Sequence, residues 1–187
     1  MRRAAAAAAN PSTSDRVMDH FARLGLPAAL DLEPASLDRA YFALQRQWHP
    51  DRFVAKPAAE RARASAEAAA LTDAYRTLKD PLSRALYLAE LKGVEMPGDG
   101  KTIDDPELLM EAMEAREELH EAGSTQAVDA LAARVRADIK ASLDGLGSLF
   151  LAGDKPAIRK ALLRLRYLDK FAEEARARRM NLERSSA

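Results

Sequence analysis

Leu44-Gln45-Arg46-Gln47-Trp48-His49-Pro50-Asp51-Arg52-Phe53 sets a short polar turn between two helical stretches, and the fold is decided by how that turn is read. Proline disfavours the helical region for the residue before it, so a helix running through Trp48 is predicted to stop near His49. The loop then presents an imidazole, a rigid corner and a carboxylate side by side. Any helix can end in a polar proline turn, and the flanks decide what this one serves. Upstream, a helix is expected from near Ser36, where Leu37, Tyr41, Leu44 and Trp48 follow i, i+4, i+7, i+11 spacing and Ala40 broadens the stripe. Arg39 and Arg46 lie off that stripe and share a solvent face. Downstream, a helix is expected from about Ala58 to Leu78, its many alanines admitting a close neighbour while Leu71, Tyr75 and Leu78 supply bulk. Together the two helices read as an antiparallel hairpin with His49-Pro50-Asp51 at its tip.

Outward from the hairpin the helical pattern continues. Val17, Phe21 and Leu24 mark a short first helix ended by Gly25-Leu26-Pro27. Asp80-Pro81 reads as an N-cap followed by proline in the first turn of a short helix carrying Leu82, Leu86 and Leu88 and ending at Gly93. Pro97, Gly98 and Gly100 make the next segment the best linker candidate. Beyond it a helix runs from about Pro106 to Ala122, with Asp105 as N-cap and Gly123 as stop. Val128, Leu131, Val135, Ile139, Leu143, Leu146 and Phe150 mark one face of the next helix, where Gly145 and Gly147 leave a bend or early fraying open. After Gly153-Asp154, a last helix buries Ile158, Ala161, Leu165, Leu168, Ala172 and Ala175. The expected fold class is all-α: a helical hairpin with flanking short helices, then an antiparallel three-helix bundle. The expected organisation is a tail at 1–15, a first domain at 16–93, a linker at 94–104, a second domain at 105–180 and a tail at 181–187.

Composition narrows the function class. The formal net charge of +0 gives no support to a general nucleic-acid or membrane binder, and the absence of cysteine removes disulfides, thiolate metal sites and cysteine nucleophiles. His20, His49 and His120 are scattered, so no metal is expected. No phosphate loop or nucleophile motif stands out, and the chain is not expected to be an enzyme or to carry a cofactor. Cytoplasmic residence is the default for such a chain. The start, Met1-Arg2-Arg3 followed by Ala4 to Ala9, reads as a disordered extension, with a mitochondrial targeting segment, and hence the matrix, as the alternative.

A second surface can be read from helix geometry. Residues advance about 100° each along Pro106–Ala122, so Leu108, Ala112, Ala115, Leu119 and Ala122 form the core stripe. Leu109 and Met113 lie roughly 100° to 140° from its centre, with Met110, Glu114, Glu117 and Glu121 farther round. An apolar cluster bordered by carboxylates marks a protein interface, and methionine suits an adaptable one. The other reading is that Leu109 and Met113 complete a wide core. The last helix carries a run of Lys and Arg, which either faces the acidic Pro106–Ala122 helix or binds nucleic acid.

The chain resembles the HscB family, the J-type co-chaperones of iron-sulfur cluster assembly, from Met18 to about Arg179. The resemblance rests on Asp19-His20-Phe21 with Leu24-Gly25-Leu26-Pro27, on the Leu44–Phe53 segment, on Leu109-Met110-Glu111 with Arg116-Glu117-Glu118-Leu119, and on Leu165-Arg166-Tyr167-Leu168-Asp169-Lys170. It implies that the first domain is a J domain that docks on a DnaK-type chaperone, HscA in bacteria, and stimulates its ATPase, with Arg39, Arg46, His49, Pro50, Asp51 and Arg52 at the contact. It also implies that Leu109, Met110, Met113, Glu114, Glu117 and Glu121 receive an IscU-type scaffold protein. Tyr167 joins them by resemblance, and its place away from the Ile158-Leu165-Ala172 stripe leads us to expect its ring outward. Met113 stands where a leucine is common and Tyr167 where a phenylalanine can occur, which bears on affinity. With no cysteine in this sequence, the cysteine-bearing metal module that the resemblance associates with some relatives is not expected. No nucleic-acid or membrane partner is expected; the alternatives are a general J protein for other clients and a basic helical nucleic-acid binder.

Overall fold

A computed structural model describes residues 18–98 and 105–185. Its elements are α1 (His20–Arg23), α2 (Pro34–Trp48), a 3-10 turn (Pro50–Phe53), α3 (Ala58–Lys79), α4 (Pro81–Leu91), α5 (Pro106–Glu121), α6 (Thr125–Ala152) and α7 (Lys155–Ser185). Among the described residues there is no strand, and no helix is long and apolar enough to cross a membrane. Backbone packing divides the chain into two compact units, Met1–Ala28 with Ala35–Tyr75, and Ala29–Pro34 with Arg76–Ala187.

In the first unit α2 and α3 form the expected hairpin. Their partners run in opposite order along the chain: Asp38 and Tyr41 meet Tyr75, Gln45 meets Thr72 and the Ala68 carbonyl, and Trp48 meets Arg63. The Tyr41 and Tyr75 rings stack at 4.1 Å, and the Tyr75 hydroxyl donates to Asp38 Oδ1 at 2.7 Å. Phe21, Leu24, Leu37, Ala64, Leu71 and Ala74 are buried. Burying a side chain such as Phe21 contributes about 1.5–3 kcal/mol, so this small unit depends on few residues. The α2 stripe is less buried than expected, since only Leu37 is fully covered while Tyr41, Leu44 and Trp48 are half-buried. Helix α1 is capped by Asp19, whose carboxylate accepts from Ala22 N–H at 2.8 Å; Val17, read as part of this helix, lies outside the described residues.

The second unit is organised around α7, which packs against α6, α5 and α4. Ion pairs and hydrogen bonds give the directions. Along α5 and α7 the partners rise together, from Glu107 with Lys160 to Arg116 with Glu174, so these helices are parallel. Asp129 pairs with Arg179 and Ser142 with Arg164, so α6 runs antiparallel to α7, as the bundle reading requires. The caps fall where the residues predict: Asp80 accepts from Ser83 N–H at 2.7 Å, and Asp105 accepts from Glu107 and Leu108 N–H at 3.1 and 3.2 Å. Gly153 ends α6 in the left-handed conformation at φ 69°, which only glycine adopts at little steric cost.

Helix ends and the packing boundary bear on three further readings, the first of which leaves a bend open. Helix α6 runs unbroken through Gly145 and Gly147, because packing on α7 outweighs the weak helix propensity of two glycines. The tail expected at 181–187 is helical to Ser185: Leu182 packs against the core and Arg179 pairs with Glu183 one turn on. The packing division also falls between Tyr75 and Arg76 rather than at 94–104, because α4 packs on α7 through a face on which Ala85, Leu88 and Ala89 are buried. The tail read at 1–15 and the residues 99–104 of the linker lie outside the described residues.

Candidate functional site

At the hairpin tip, α2 stops at Trp48 and His49 is extended, at φ −60° and ψ 128°. This is the conformation that Pro50 imposes on its predecessor. Asp51 N–H donates to His49 Nδ1 at 3.3 Å, so the neutral ring carries its proton on Nε2. Asp51 Oδ2 lies 3.5 Å from the same nitrogen, an ion pair when the ring is protonated. The side chains of His49 and Asp51 are 54% and 86% exposed, and Pro50, Arg52, Arg46 and Arg39 are exposed as well. All six residues read from the sequence as the docking set therefore face solvent on one arm and tip of one hairpin.

What holds the tip was only partly legible. Arg52 Nη1 donates to the Arg46 carbonyl at 3.0 Å, satisfying one of the orphan acceptors at the α2 C-terminus. The Phe53 ring lies parallel to that of Trp48 at 6.0 Å, and the Arg63 guanidinium sits over the Trp48 ring at 5.6 Å. Beside the tripeptide, Phe42, Gln45, Arg46, His49 and Arg52 line an open groove of about 470 Å³. Phe42 is 54% exposed and was not singled out in the sequence; its signal is an aromatic residue placed off the Leu37–Trp48 stripe. Cations, a carboxylate and an exposed aromatic ring suit a protein surface, and complementary charges there govern encounter and orientation more than affinity.

The α5 surface also has the expected polarity. Leu108, Ala112, Leu119 and Ala122 are buried and Ala115 packs against the same core. Leu109, Met110 and Met113 are 38%, 62% and 62% exposed, and Glu114, Glu117 and Glu121 are exposed beside them. Leu109 and Met113 thus do not complete a wide core. Apolar groups left in water and rimmed by carboxylates are the arrangement expected of an adaptable protein contact.

Tyr167 is the correction. Its ring is buried, 6% exposed, in the core cluster with Leu108, Ala112 and Phe171. Its hydroxyl donates to the Ala112 carbonyl at 3.4 Å, and the Arg116 guanidinium lies over its ring at 5.8 Å. The expectation of an outward ring assumed that α7 buries one stripe. It buries more, because α7 has three neighbours, and the face bearing Leu163 and Tyr167 is the one that meets α5. Burial pushes the Tyr167 phenol up to about 12. One edge still helps line a groove of about 480 Å³ with Glu111, Glu114 and Glu118 of α5. The structure therefore brings Tyr167 and Glu114 to one groove while leaving only a sliver of the ring accessible.

Several charged residues of α7, Lys160, Arg164, Glu174 and Arg178, are turned to α5, whereas Arg179 pairs with Asp129 of α6 and Arg166 donates to the Pro97 carbonyl. Arg164 forks onto Glu111 and donates to Ser142 Oγ at 3.1 Å, and its hydrogen bond to Glu111 holds the guanidinium above its ordinary range. Lys160 joins Glu107 at 2.9 Å and Asp105 at 3.1 Å, and these carboxylates raise the ammonium in turn. Leu108 N–H, then Lys160, hold Asp105 below the usual carboxylate range. Arg178 Nη2 donates to the His120 and Ala122 carbonyls. Such use of the basic residues favours the reading in which they face the acidic helix. Among the described residues no cluster of three His, Asp or Glu is placed to hold a metal ion.

Comparison with known proteins adds to this geometry. Residues 104–176 match the family model described as the HSCB C-terminal oligomerisation domain. The chain is 40% identical over 167 residues to the co-chaperone protein HscB homolog of Burkholderia multivorans, covering 88% of this chain and 95% of that one. Among solved structures, human co-chaperone protein HscB superposes with a TM-score of 0.83 at 31% identity, covering 89% of this chain and 85% of that one. Chaperone HscB from Vibrio cholerae gives a TM-score of 0.77 at 34% identity, over 88% of this chain and 99% of that one.

Proposed function

The chain belongs to the HscB family of J-type co-chaperones, and on that premise we propose that it stimulates the ATPase of a DnaK-type chaperone, HscA in bacteria, and delivers an IscU-type iron-sulfur scaffold to it. The observation that carries the reading is the pairing of two exposed surfaces on one chain. One is the His49-Pro50-Asp51 tip with Arg39, Arg46 and Arg52; the other is the Leu109, Met110, Met113 cluster with Glu114, Glu117 and Glu121. By function rather than by backbone packing, residues 16–93 act as the J domain and 105–180 as the scaffold-binding domain, with Tyr167 supporting the second surface from beneath. The chain breaks no bond. Its work is to bring scaffold and chaperone together at raised effective concentration, in the cytoplasm.

A three-component assay with purified proteins tests this. At a co-chaperone concentration below saturation, adding the scaffold raises chaperone ATP turnover above the sum of the separate effects of scaffold and co-chaperone. Strict additivity would contradict delivery, and no response to the co-chaperone alone would contradict the J-domain assignment.

A further inference from the structure

The loop that carries His49-Pro50-Asp51 is tied to α2 by the Arg52 hydrogen bond to the Arg46 carbonyl and by the parallel placement of Phe53 on Trp48. Both ties end at the last turn of α2, one on the Arg46 carbonyl and one on the Trp48 indole. From the other arm of the hairpin, Arg63 of α3 reaches the same indole, its guanidinium 5.6 Å from the ring centroid. Tryptophan is the best aromatic partner for a cation. We infer that Arg63 is a positioning residue for the docking loop: by holding the Trp48 ring against α3 it keeps the turn in the geometry that the chaperone recognises. The inference rests on the docking reading above and adds to it a residue outside the docking set.

A positioning role has a distinct signature. Loosening the clamp lowers the fraction of molecules whose loop is competent, and apparent affinity falls by that fraction while the saturated complex is unchanged. Losing one exposed cation–π contact corresponds to about a two- to five-fold effect.

The experiment uses the full chain and an HscA-type chaperone, with ATP turnover measured against co-chaperone concentration. Arg63→Gln should raise the half-saturating concentration about two- to five-fold at unchanged maximal stimulation, and Arg63→Lys should recover most of the loss. In a Trp48→Leu background, Arg63→Gln should have no further effect, because the contact it removes is already gone. Trp48 is the only tryptophan in the chain, so its emission reads the clamp directly and should shift in Arg63→Gln at wild-type helicity. Unchanged half-saturation and emission would overturn the inference. The same loss in the Trp48→Leu background would also overturn it, by showing that Arg63 touches the chaperone itself. Should Trp48→Leu not fold, Arg63→Gln decides through both readouts, and raised half-saturation without a shift in emission would overturn the inference. His49→Gln separates the two levels: if it keeps full stimulation the docking reading falls and takes this inference with it, whereas loss in His49→Gln with no change in Arg63→Gln removes only the positioning role.

Discussion

Truncating Tyr167 separates support from contact on the scaffold-facing side of the bundle. The ring is 6% exposed among Leu108, Ala112 and Phe171, so Tyr167→Ala removes a core aromatic and should destabilise the chain by about 3–5 kcal/mol. That is a large part of the roughly 5–15 kcal/mol that holds a domain together. Tyr167→Phe removes only the hydroxyl, whose bond to the Ala112 carbonyl is long at 3.4 Å. The expected cost is about 0.5 kcal/mol, the bottom of the usual range for a hydrogen bond. Urea unfolding followed by far-UV circular dichroism gives both numbers, with an unchanged slope required for the comparison. Titration calorimetry with the scaffold gives the second half: Tyr167→Phe should bind like the wild type, because the hydroxyl points inward. A tenfold or greater loss of affinity in a Tyr167→Phe protein of full stability would refute the buried, supporting role. Wild-type stability in Tyr167→Ala would refute it equally.

Replacing Leu109 and Met113 together by alanine should weaken scaffold binding at least about tenfold while moving stability by no more than about 0.5 kcal/mol, since both side chains are exposed; undiminished calorimetric affinity would remove the outer patch from the account. Gly145→Ala should stabilise the chain by about 0.5–1 kcal/mol, because the helix runs through the position and an added Cβ meets open space, whereas Gly153→Ala at φ +69° should cost about 1 kcal/mol; thermal melts should show midpoints moving in opposite directions. Burial raises the Tyr167 phenol to about 12, so the folded state holds this proton more tightly than the unfolded chain does. The resulting stability is complete below the ordinary tyrosine range near pH 10 and is lost as pH rises towards 12. Absorbance titration should therefore show a late phenolate component that disappears in Tyr167→Phe.

How much of this was legible in the sequence depended on whether the cause was local. Asp80-Pro81, Asp105 and Gly153 fix helix ends through their own backbones, and each boundary lies where the residues place it. The His49-Pro50-Asp51 turn and the outward face of α5 follow equally from proline sterics and helical periodicity. Tyr167 did not, because its burial depends on α7 having α4, α5 and α6 as neighbours, and a single-stripe reading admits one partner face. Leu182 was missed although it stands seven residues after Ala175 and so continues the stripe, because Arg179 fills the intervening stripe position and breaks the apolar run. Nor does sequence spacing show that Arg63 lies over Trp48, since that contact exists only once the hairpin has closed.

The account turns on the exposed tip of the hairpin as the element that switches on the chaperone, and steady-state ATP turnover of an HscA-type chaperone with His49→Gln tests it most directly. The substitution removes a ring that is half in solvent and whose Nδ1 accepts only from the neighbouring Asp51 N–H at 3.3 Å, so the helices and scaffold affinity should survive. Stimulation should fall to the basal rate at every co-chaperone concentration. Wild-type stimulation by the folded, scaffold-binding variant would contradict the assignment.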